Sequence, residues 1–265
     1  MIKEFLHTIR MKTVSNRRWQ KSRIIRPFLK YIYWHLPQKL RGSRIVHDTI
    51  YSLTKKKNIP IKFIQIGAND GIHSDPLYKY LKQLEWKGLM LEPNPGTFEK
   101  LKKNHIDSVA ELQFQPLAIG DFGNFTLYYC TENLGMASTD RDHVMKHRAG
   151  NDWEIREANV DMIPFNTLIE KHPDFSNIDL LLIDTEGWDA KIVLSIDFAE
   201  FKSDLIIFEY VHIAPNVLSE VREFLHKNAY DVFIGELDLV AISRNTTNEA
   251  LDRIRHRSGS LLFEN

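Results

Sequence analysis

The chain has a single cysteine, Cys130, among its 265 residues. One thiol cannot close an intrachain disulfide, so a disulfide-stapled scaffold is excluded and a reducing compartment is expected. No apolar run approaches the ~18 residues of a membrane span. The first ten residues lack the unbroken apolar stretch of a secretory signal. The expectation is a cytoplasmic chain that does not cross a bilayer. Internal repeats and low-complexity tracts are missing too.

Net charge is also absent, because 35 Lys and Arg balance 35 Asp and Glu. The balance hides an asymmetry. Residues 1–60 hold fifteen bases against Glu4 and Asp48, which leaves 20 bases and 33 acids for residues 61–265. The chain is read accordingly as a basic, helical N-terminal extension over 1–60 and a domain over 61–265. The extension mixes bases with aromatics, in Arg17-Arg18-Trp19 and again from Arg26 to Trp34. Ile24, Ile25, Phe28, Leu29 and Ile32 recur there near helical spacing. Such a helix can lie on anionic lipid at the inner face of a membrane, touch nucleic acid, or pack on the acidic body. Nucleic acid ranks lowest of the three.

From residue 61 short apolar runs alternate with helical patterns, the mark of βαβ units and a parallel sheet. Phe63–Ile66 reads as a buried strand running into Gly67-Ala68-Asn69-Asp70-Gly71. The two glycines let backbone N–H groups come close to a ligand. Leu89–Leu91 reads as a second strand, and it ends in Glu92. Ligands of open α/β sheets bind beyond the carboxyl ends of the strands. A glycine loop after one strand and an acid after the next suit a nucleoside, whose ribose hydroxyls donate to the carboxylate. A dinucleotide fold needs a third glycine and an immediate helix facing the pyrophosphate. Here the predicted helix waits until Asp75-Pro76. Asn69 and Asp70 suit a zwitterionic amino-acid tail better than two phosphates, which favours S-adenosylmethionine over NAD.

Leu77, Leu81 and Leu84 give the first helix its apolar face. Asn94-Pro95 start a second helix, carrying Phe98 and Leu101. A third strand is predicted over 112–119 and an added strand over Phe125–Cys130. Residues 131–159 are polar and weakly periodic, either a lid or substrate loop or a plain surface loop. Leu180–Ile183 reads as a buried strand with Asp184, Glu186 and Asp189 crowded at its end. Like charges repel, so three acids there invite function. One can serve as general base, or two can hold a hard divalent cation. Alternatively Asp184 satisfies loop backbone and Asp189 caps the following helix. The strand over 205–211 brings Glu209 and His212 to the same edge, as acid–base groups or as loop side chains. Asn216 is predicted to cap a helix bearing Val217, Val221, Phe224 and Leu225. Tyr230–Ile234 and Asp238–Ile242 form a closing β-pair, and the tail from Arg244 carries no pattern.

The chain resembles the FkbM family of S-adenosylmethionine-dependent methyltransferases over about residues 61–243. The carriers are Gln65-Ile-Gly-Ala-Asn-Asp-Gly71, Leu91-Glu-Pro-Asn-Pro95, Ala118-Ile-Gly120, Phe165-Asn-Thr-Leu168, Ile183-Asp-Thr-Glu-Gly187 and Phe208-Glu209. The resemblance implies an α/β class I (Rossmann-like) methyltransferase fold, a seven-stranded mostly parallel sheet whose antiparallel strand comes from the terminal β-pair. It implies O-methylation of a sugar, glycan or natural-product hydroxyl, with a lipid-linked glycan as one form the basic extension suggests. The cofactor residues implied are Gln65, Gly67, Ala68, Asn69, Asp70, Gly71, Glu92, Pro93, Asn94, Ala118, Ile119 and Asp184. Gly67 to Gly71 would line the methionine end, Glu92 the ribose, and Ala118 and Ile119 the adenine. Asp184 and Glu186 would face the methyl and the acceptor, with Glu209 and His212 as further catalytic candidates. Two positions depart from the family's pattern. Gln65 stands where many members have an acid, and Leu182 where many have a lysine. Two rivals stay open beside this reading, a nucleotide-dependent oxidoreductase and a membrane-tethered binding module that has kept the fold and lost catalysis.

Overall fold

The structure is a computed structural model that describes residues 45–55, 60–130, 137–139, 141–147, 152–185, 187–211 and 213–257. The basic amphipathic segment over 24–34 lies outside the described residues. So do Glu186, His212 and part of the predicted lid. In chain order the strands are β1 (Lys62–Ile66), β2 (Lys87–Leu91), β3 (Glu111–Gln115), β4 (Leu117–Ile119), β5 (Gly123–Cys130), β6 (Ala137–Ser138), β7 (Ile155–Ile163), β8 (Asn177–Ile183), β9 (Lys202–Glu209), β10 (Tyr230–Ile234) and β11 (Asp238–Ser243). The helices are α1 (Ile45–Leu53), α2 (Tyr78–Leu81), α3 (Pro95–Asn104), α4 (Arg141–His147), α5 (Phe165–Lys171), α6 (Asp189–Leu194), α7 (Pro215–Lys227) and α8 (Glu249–Arg257).

Seven strands form one sheet in the order β3-β2-β1-β8-β9-β11-β10. All its pairings are parallel except those of β11, which runs antiparallel to both β9 and β10. The seven-stranded, mostly parallel α/β sheet read from the sequence is therefore present. Helices cover both faces, which is why the central strands are apolar without alternation. Side chains of successive residues point to opposite faces, and two cores follow. Ile64, Ile66, Leu181, Ile183, Ile206 and Phe208 pack with Phe165 and Leu168 of α5, Ile192 and Val193 of α6, and Val221 and Leu225 of α7. Phe63, Met90, Leu180, Leu182, Leu205 and Ile207 pack with Ile45, Ile50 and Leu53 of α1, with Leu77 and Leu81, and with Phe98 and Leu101 of α3. Residues 45–53, grouped with the extension on charge, thus belong to the core of the sheet. Leu251 of α8 is buried in the same cluster, so the patternless tail also contributes a packed helix.

Four expectations change. The third strand is two strands, because Pro116 has no N–H to continue a ladder. The chain leaves β3 there, and Leu117–Ile119 joins a second sheet of order β4-β7-β5-β6. The stretch over 131–159 is not wholly irregular, since β6, α4 and the start of β7 fall in it. The first helix starts at Tyr78 rather than after Asp75. The Asp75 carboxylate turns back to accept from Leu77 N at 2.6 Å, and Leu77 holds the cap position with no side-chain cap. α7 starts at Pro215, with Ala214 as its N-cap, so Asn216 lies inside the helix. Proline at the first helical position costs no hydrogen bond. By contrast Asn94 caps α3 as expected, accepting from Gly96 N at 3.1 Å.

Candidate active site

Register builds the site. Ile66 of β1 pairs with Leu91 of β2 on one side and Ile183 of β8 on the other. Gly67, Glu92 and Asp184 are the next residues of those three strands, so they leave the sheet at one height. Backbone bonds continue past the strand ends, from Gly67 N and Ala68 N to Leu91 O and from Asp184 N to Ile66 O. Gly67 has a φ of 80°, and a Cβ there would lie 1.8 Å from the Asp184 carbonyl oxygen. Only glycine fits that crossing. Ile183 also pairs with Phe208, which brings Glu209 to the same edge, opposite Asp238 of the antiparallel β11.

Glu92 is 8% exposed, and both of its carboxyl oxygens are engaged. Oε2 accepts from Asn69 N at 2.9 Å and Oε1 from Asn94 N at 2.8 Å. Burial pushes its pKa up to about 7, against the pull of those two N–H groups and with the Asp184 charge adding to the rise. Asn69 is left-handed, with a φ of 50°, a conformation that asparagine tolerates.

Three residues expected at the cofactor stand behind it. Burial pushes the Asp70 carboxyl up, but the N–H groups of His73 and Ile72 and the His73 ring outweigh it, and its pKa is lowered. Asp70 therefore ties the loop to itself. Gly71 packs on α3, where a Cβ would come within 2.4 Å of the His105 ring. Asn94 is occupied by its helix cap. These residues fix the loop's shape, and others face the ligand space.

That space is a cavity of about 820 Å³ at the carboxyl edge. Gln65, Gly67, Ala68, Asn69, Glu92, Pro93, Ala118, Ile119 and Asp184 all line it. Its volume falls in the range of roughly 300–1,000 Å³ usual for ligand pockets. Glu209 is half-buried and does not line the cavity. Asp189 is buried beneath it, accepting from Thr185 N, Thr185 Oγ1 and Gly187 N at 3.0–3.3 Å. It is thus a clamp on the loop after β8, and burial raises its pKa.

Sequence reasoning missed several wall residues. Asp238 was read only as the start of a strand, yet it faces the cavity. Burial pushes its pKa up to about 6, and Asp189 and Glu236 add to the rise. Asp75, where the predicted helix begins, also lines the wall, with a pKa pushed up to about 6 by burial. Trp188 and Met162 line it as well, and so do Ser138 and Thr139. Among the described residues, no group of three or more His, Cys, Asp or Glu side chains could hold a metal ion. Nor is any helix there long and apolar enough to cross a membrane.

No curated protein matches the chain. Among solved structures it is similar to an FkbM methyltransferase from Methylobacillus flagellatus KT, at 12% identity and a TM-score of 0.43, over 74% of this chain and 47% of that one. It is also similar to a ribosomal protein L11 methylase from Lactobacillus delbrueckii subsp. bulgaricus, at 13% identity and a TM-score of 0.38, over 75% of this chain and 78% of that one. A third is a precorrin-6y C5,15-methyltransferase from Geobacter metallireducens GS-15, at 14% identity and a TM-score of 0.37, over 74% and 86% of the two chains. The methyltransferase FkbM domain model matches residues 65–232, more than half of the chain and the whole span from the glycine loop to the closing strands. The chain belongs to the FkbM methyltransferase family.

Proposed function

We propose that the protein transfers a methyl group from S-adenosylmethionine to a hydroxyl of a sugar or glycan. The observation that carries this reading is the level placement of Gly67, Glu92 and Asp184 on one cavity wall. Family membership sets aside the oxidoreductase rival. When bound, the cofactor supplies a methyl already activated on a sulfonium, so the protein's work is mainly positioning.

The residues present fit that cofactor. The Gly67–Asn69 turn would take its amino-acid end. Glu92 keeps a free lone pair on each oxygen, enough to accept from two ribose hydroxyls. Ala118 and Ile119 offer small and apolar wall to an adenine. For the acceptor, Trp188 supplies an aromatic surface on which a sugar can pack, and Asp184 and Asp238 supply acceptors for its hydroxyls. Asp184 would also take the acceptor proton late in the transfer.

Calorimetric titration tests the cofactor. S-adenosylmethionine should bind, NAD should not, and Glu92→Ala should abolish binding. Asp184→Asn should then lower turnover by ~10²–10⁴. Binding of NAD in preference to S-adenosylmethionine would overturn the reading. Full turnover of Asp184→Asn on a glycan acceptor would remove Asp184 as the base.

The basic extension extends the proposal to a lipid-linked acceptor at an anionic membrane. The bases and interleaved aromatics of residues 1–60 support it.

A further inference from the structure

Asp238 opens β11 at one end of the cavity, and among the described residues no N–H or O–H donates to its carboxyl. The charged groups that act on it, Asp189 and Glu236, are both acids. Three other acids here have donors: Glu92 from Asn69 N and Asn94 N, Asp75 from Leu77 N, and Asp189 from Thr185 and Gly187. Buried polar groups are nearly always partnered, so a mostly buried carboxylate without a donor suits one supplied by a ligand.

The fold holds Asp238 in this position from both sides. Its carbonyl accepts from Gly235 N at 2.7 Å, and that of Leu237 accepts from Tyr210 N at 3.0 Å. A Cβ on Gly235 would lie 2.8 Å from the Asp238 carbonyl oxygen, so the turn closes tightly on this residue. Val240 and Ile242, further along β11, bury with Leu182 and Ile207. The two-residue period of a strand puts Asp238 on that same face, where Val46, Leu182 and Ile207 also line the cavity. Apolar walls around one carboxylate make a pocket that reads its ligand through a single polar contact.

Sheet order shows which ligand reaches it. β11 stands two strands beyond β8 and four beyond β2. Neighbouring strands are ~4.8 Å apart, which sets Asp238 about 10 Å past the strand of Asp184 and about 19 Å past that of Glu92. On the reading above, the ribose sits at Glu92 and the amino-acid end at the turn after β1. The sulfonium is only a few bonds from either. Asp238 therefore lies beyond the methyl, on the side left for the acceptor.

Charge narrows the acceptor. Among the described residues lining the cavity, none is Lys or Arg. The cofactor brings a sulfonium and an ammonium against one carboxylate, a single net positive charge. Asp75, Glu92 and Asp238 outnumber it. A phosphate, sulfate or uronate on the acceptor would add to the imbalance. A hydroxyl would give Asp238 a donor but no charge, whereas an ammonium gives both. We propose that Asp238 selects the acceptor by binding an ammonium on it, so that the glycan methylated carries a free amino sugar. Held as an ammonium, the nitrogen has no lone pair for the methyl, which goes to a neighbouring hydroxyl. This inference rests on the methyl-transfer reading above and narrows its acceptor.

Oligomers of glucosamine, of N-acetylglucosamine and of galacturonic acid offer the three charges on similar rings. Transfer of radiolabelled methyl to each is followed near neutral pH with saturating S-adenosylmethionine. By kcat/KM the wild type should prefer glucosamine oligomers to their N-acetyl forms by about 10- to 100-fold, the worth of a charge-assisted bond. Galacturonate oligomers should be the poorest. Asp238→Asn should remove most of the preference, chiefly through KM, and leave the affinity for S-adenosylhomocysteine as in the wild type. Asp238→Ser is the second variant should the first not fold. A wild type without preference for the amine, or a variant that keeps it, overturns the assignment. So does a variant that loses affinity for S-adenosylhomocysteine to the same degree, since Asp238 would then touch the cofactor. Transfer to none of the three by cofactor-bound wild type overturns the glycan reading itself, and this inference with it.

Discussion

Glu92→Gln should change stability by an amount that depends on pH, in a direction the structure sets. Burial raises the Glu92 carboxyl from its ordinary 4.5 to about 7. Such a rise corresponds to ~3 kcal/mol between the two protonation states. The folded protein therefore holds this proton more tightly than the unfolded chain does. The stabilisation is fully present below about pH 4.5 and is lost as pH rises through about 7. Glutamine cannot ionise, so it avoids that loss. It does put an NH₂ against one of the two backbone donors, Asn69 N or Asn94 N, at a cost of about 1–3 kcal/mol at any pH. The variant should thus be less stable than wild type near pH 5. Its deficit should shrink by roughly 2–3 kcal/mol by about pH 8, closing or reversing. Urea unfolding of both proteins at about pH 5, 6.5 and 8 reads this difference, and titrating groups that do not interact with Glu92 cancel in the comparison. A deficit that stays constant over that range would refute the claim that Glu92 is a strained, buried acid.

Other outcomes follow from the same geometry. Gly67→Ala must place a Cβ 1.8 Å from a backbone oxygen at a φ of 80°, whereas Gly96→Ala meets nothing closer than 3.6 Å. The first should cost several kcal/mol by thermal unfolding, while the second, at the start of α3, should be neutral or gain up to about 1 kcal/mol; equal melting temperatures would contradict this. Asp189→Ala strands the three donors that its carboxylate accepts from in the loop after β8. It should lose about 1–3 kcal/mol of stability and lower turnover, because Asp184 precedes the freed loop; unchanged turnover would show that the clamp serves packing only. Vesicles containing anionic lipid should carry the full chain on flotation and release a chain lacking residues 1–44, and equal flotation would remove the membrane proposal.

The parts of the fold legible in the sequence are those in which one residue type has one available reason. Leu and Ile runs such as Leu180–Ile183 and Leu205–Ile207, too short for a typical helix, read as strands buried on both faces, and they are. Gly67 and Glu92 were readable because a turn and an acid at a strand end have few structural uses. The second sheet was hidden for the opposite reason. β7 spends Arg156, Glu157, Asn159 and Asp161 on solvent and buries only Val160 fully, so its apolar signal is weak. Likewise β4 is three residues long and follows a proline that looks like an interruption within one strand. Asp75 and Asp238 were missed because each has a plausible local role, as cap and as strand start. Only the sheet order, with β11 inserted beside β9, turns Asp238 toward the cavity. Local reading cannot see an insertion made by residues some thirty positions away.

The missed acids change what the cavity is. Asp75, Glu92 and Asp238 line one space, and burial holds their pKa values at about 6, 7 and 6. Carboxyls poised so near neutrality respond to what enters. A cationic ligand favours their charged forms, because each opposite charge in a low-dielectric site offsets part of the desolvation that raised the pKa. On the proposed reaction, methyl transfer converts a sulfonium and a hydroxyl into a neutral thioether, an ether and one proton. The sulfonium charge that favoured ionisation is then gone, so these carboxyls regain affinity for a proton, which passes first to Asp184 on the proposed reading. Their affinity for it rises at the moment it appears. On that reaction the site would discriminate between cofactor and product by charge. S-adenosylmethionine should bind more tightly than S-adenosylhomocysteine above about pH 7, and the preference should shrink as pH falls and the three acids lose their charge. A preference independent of pH, measured by calorimetry, would mean that the buried acids do not sense the sulfonium.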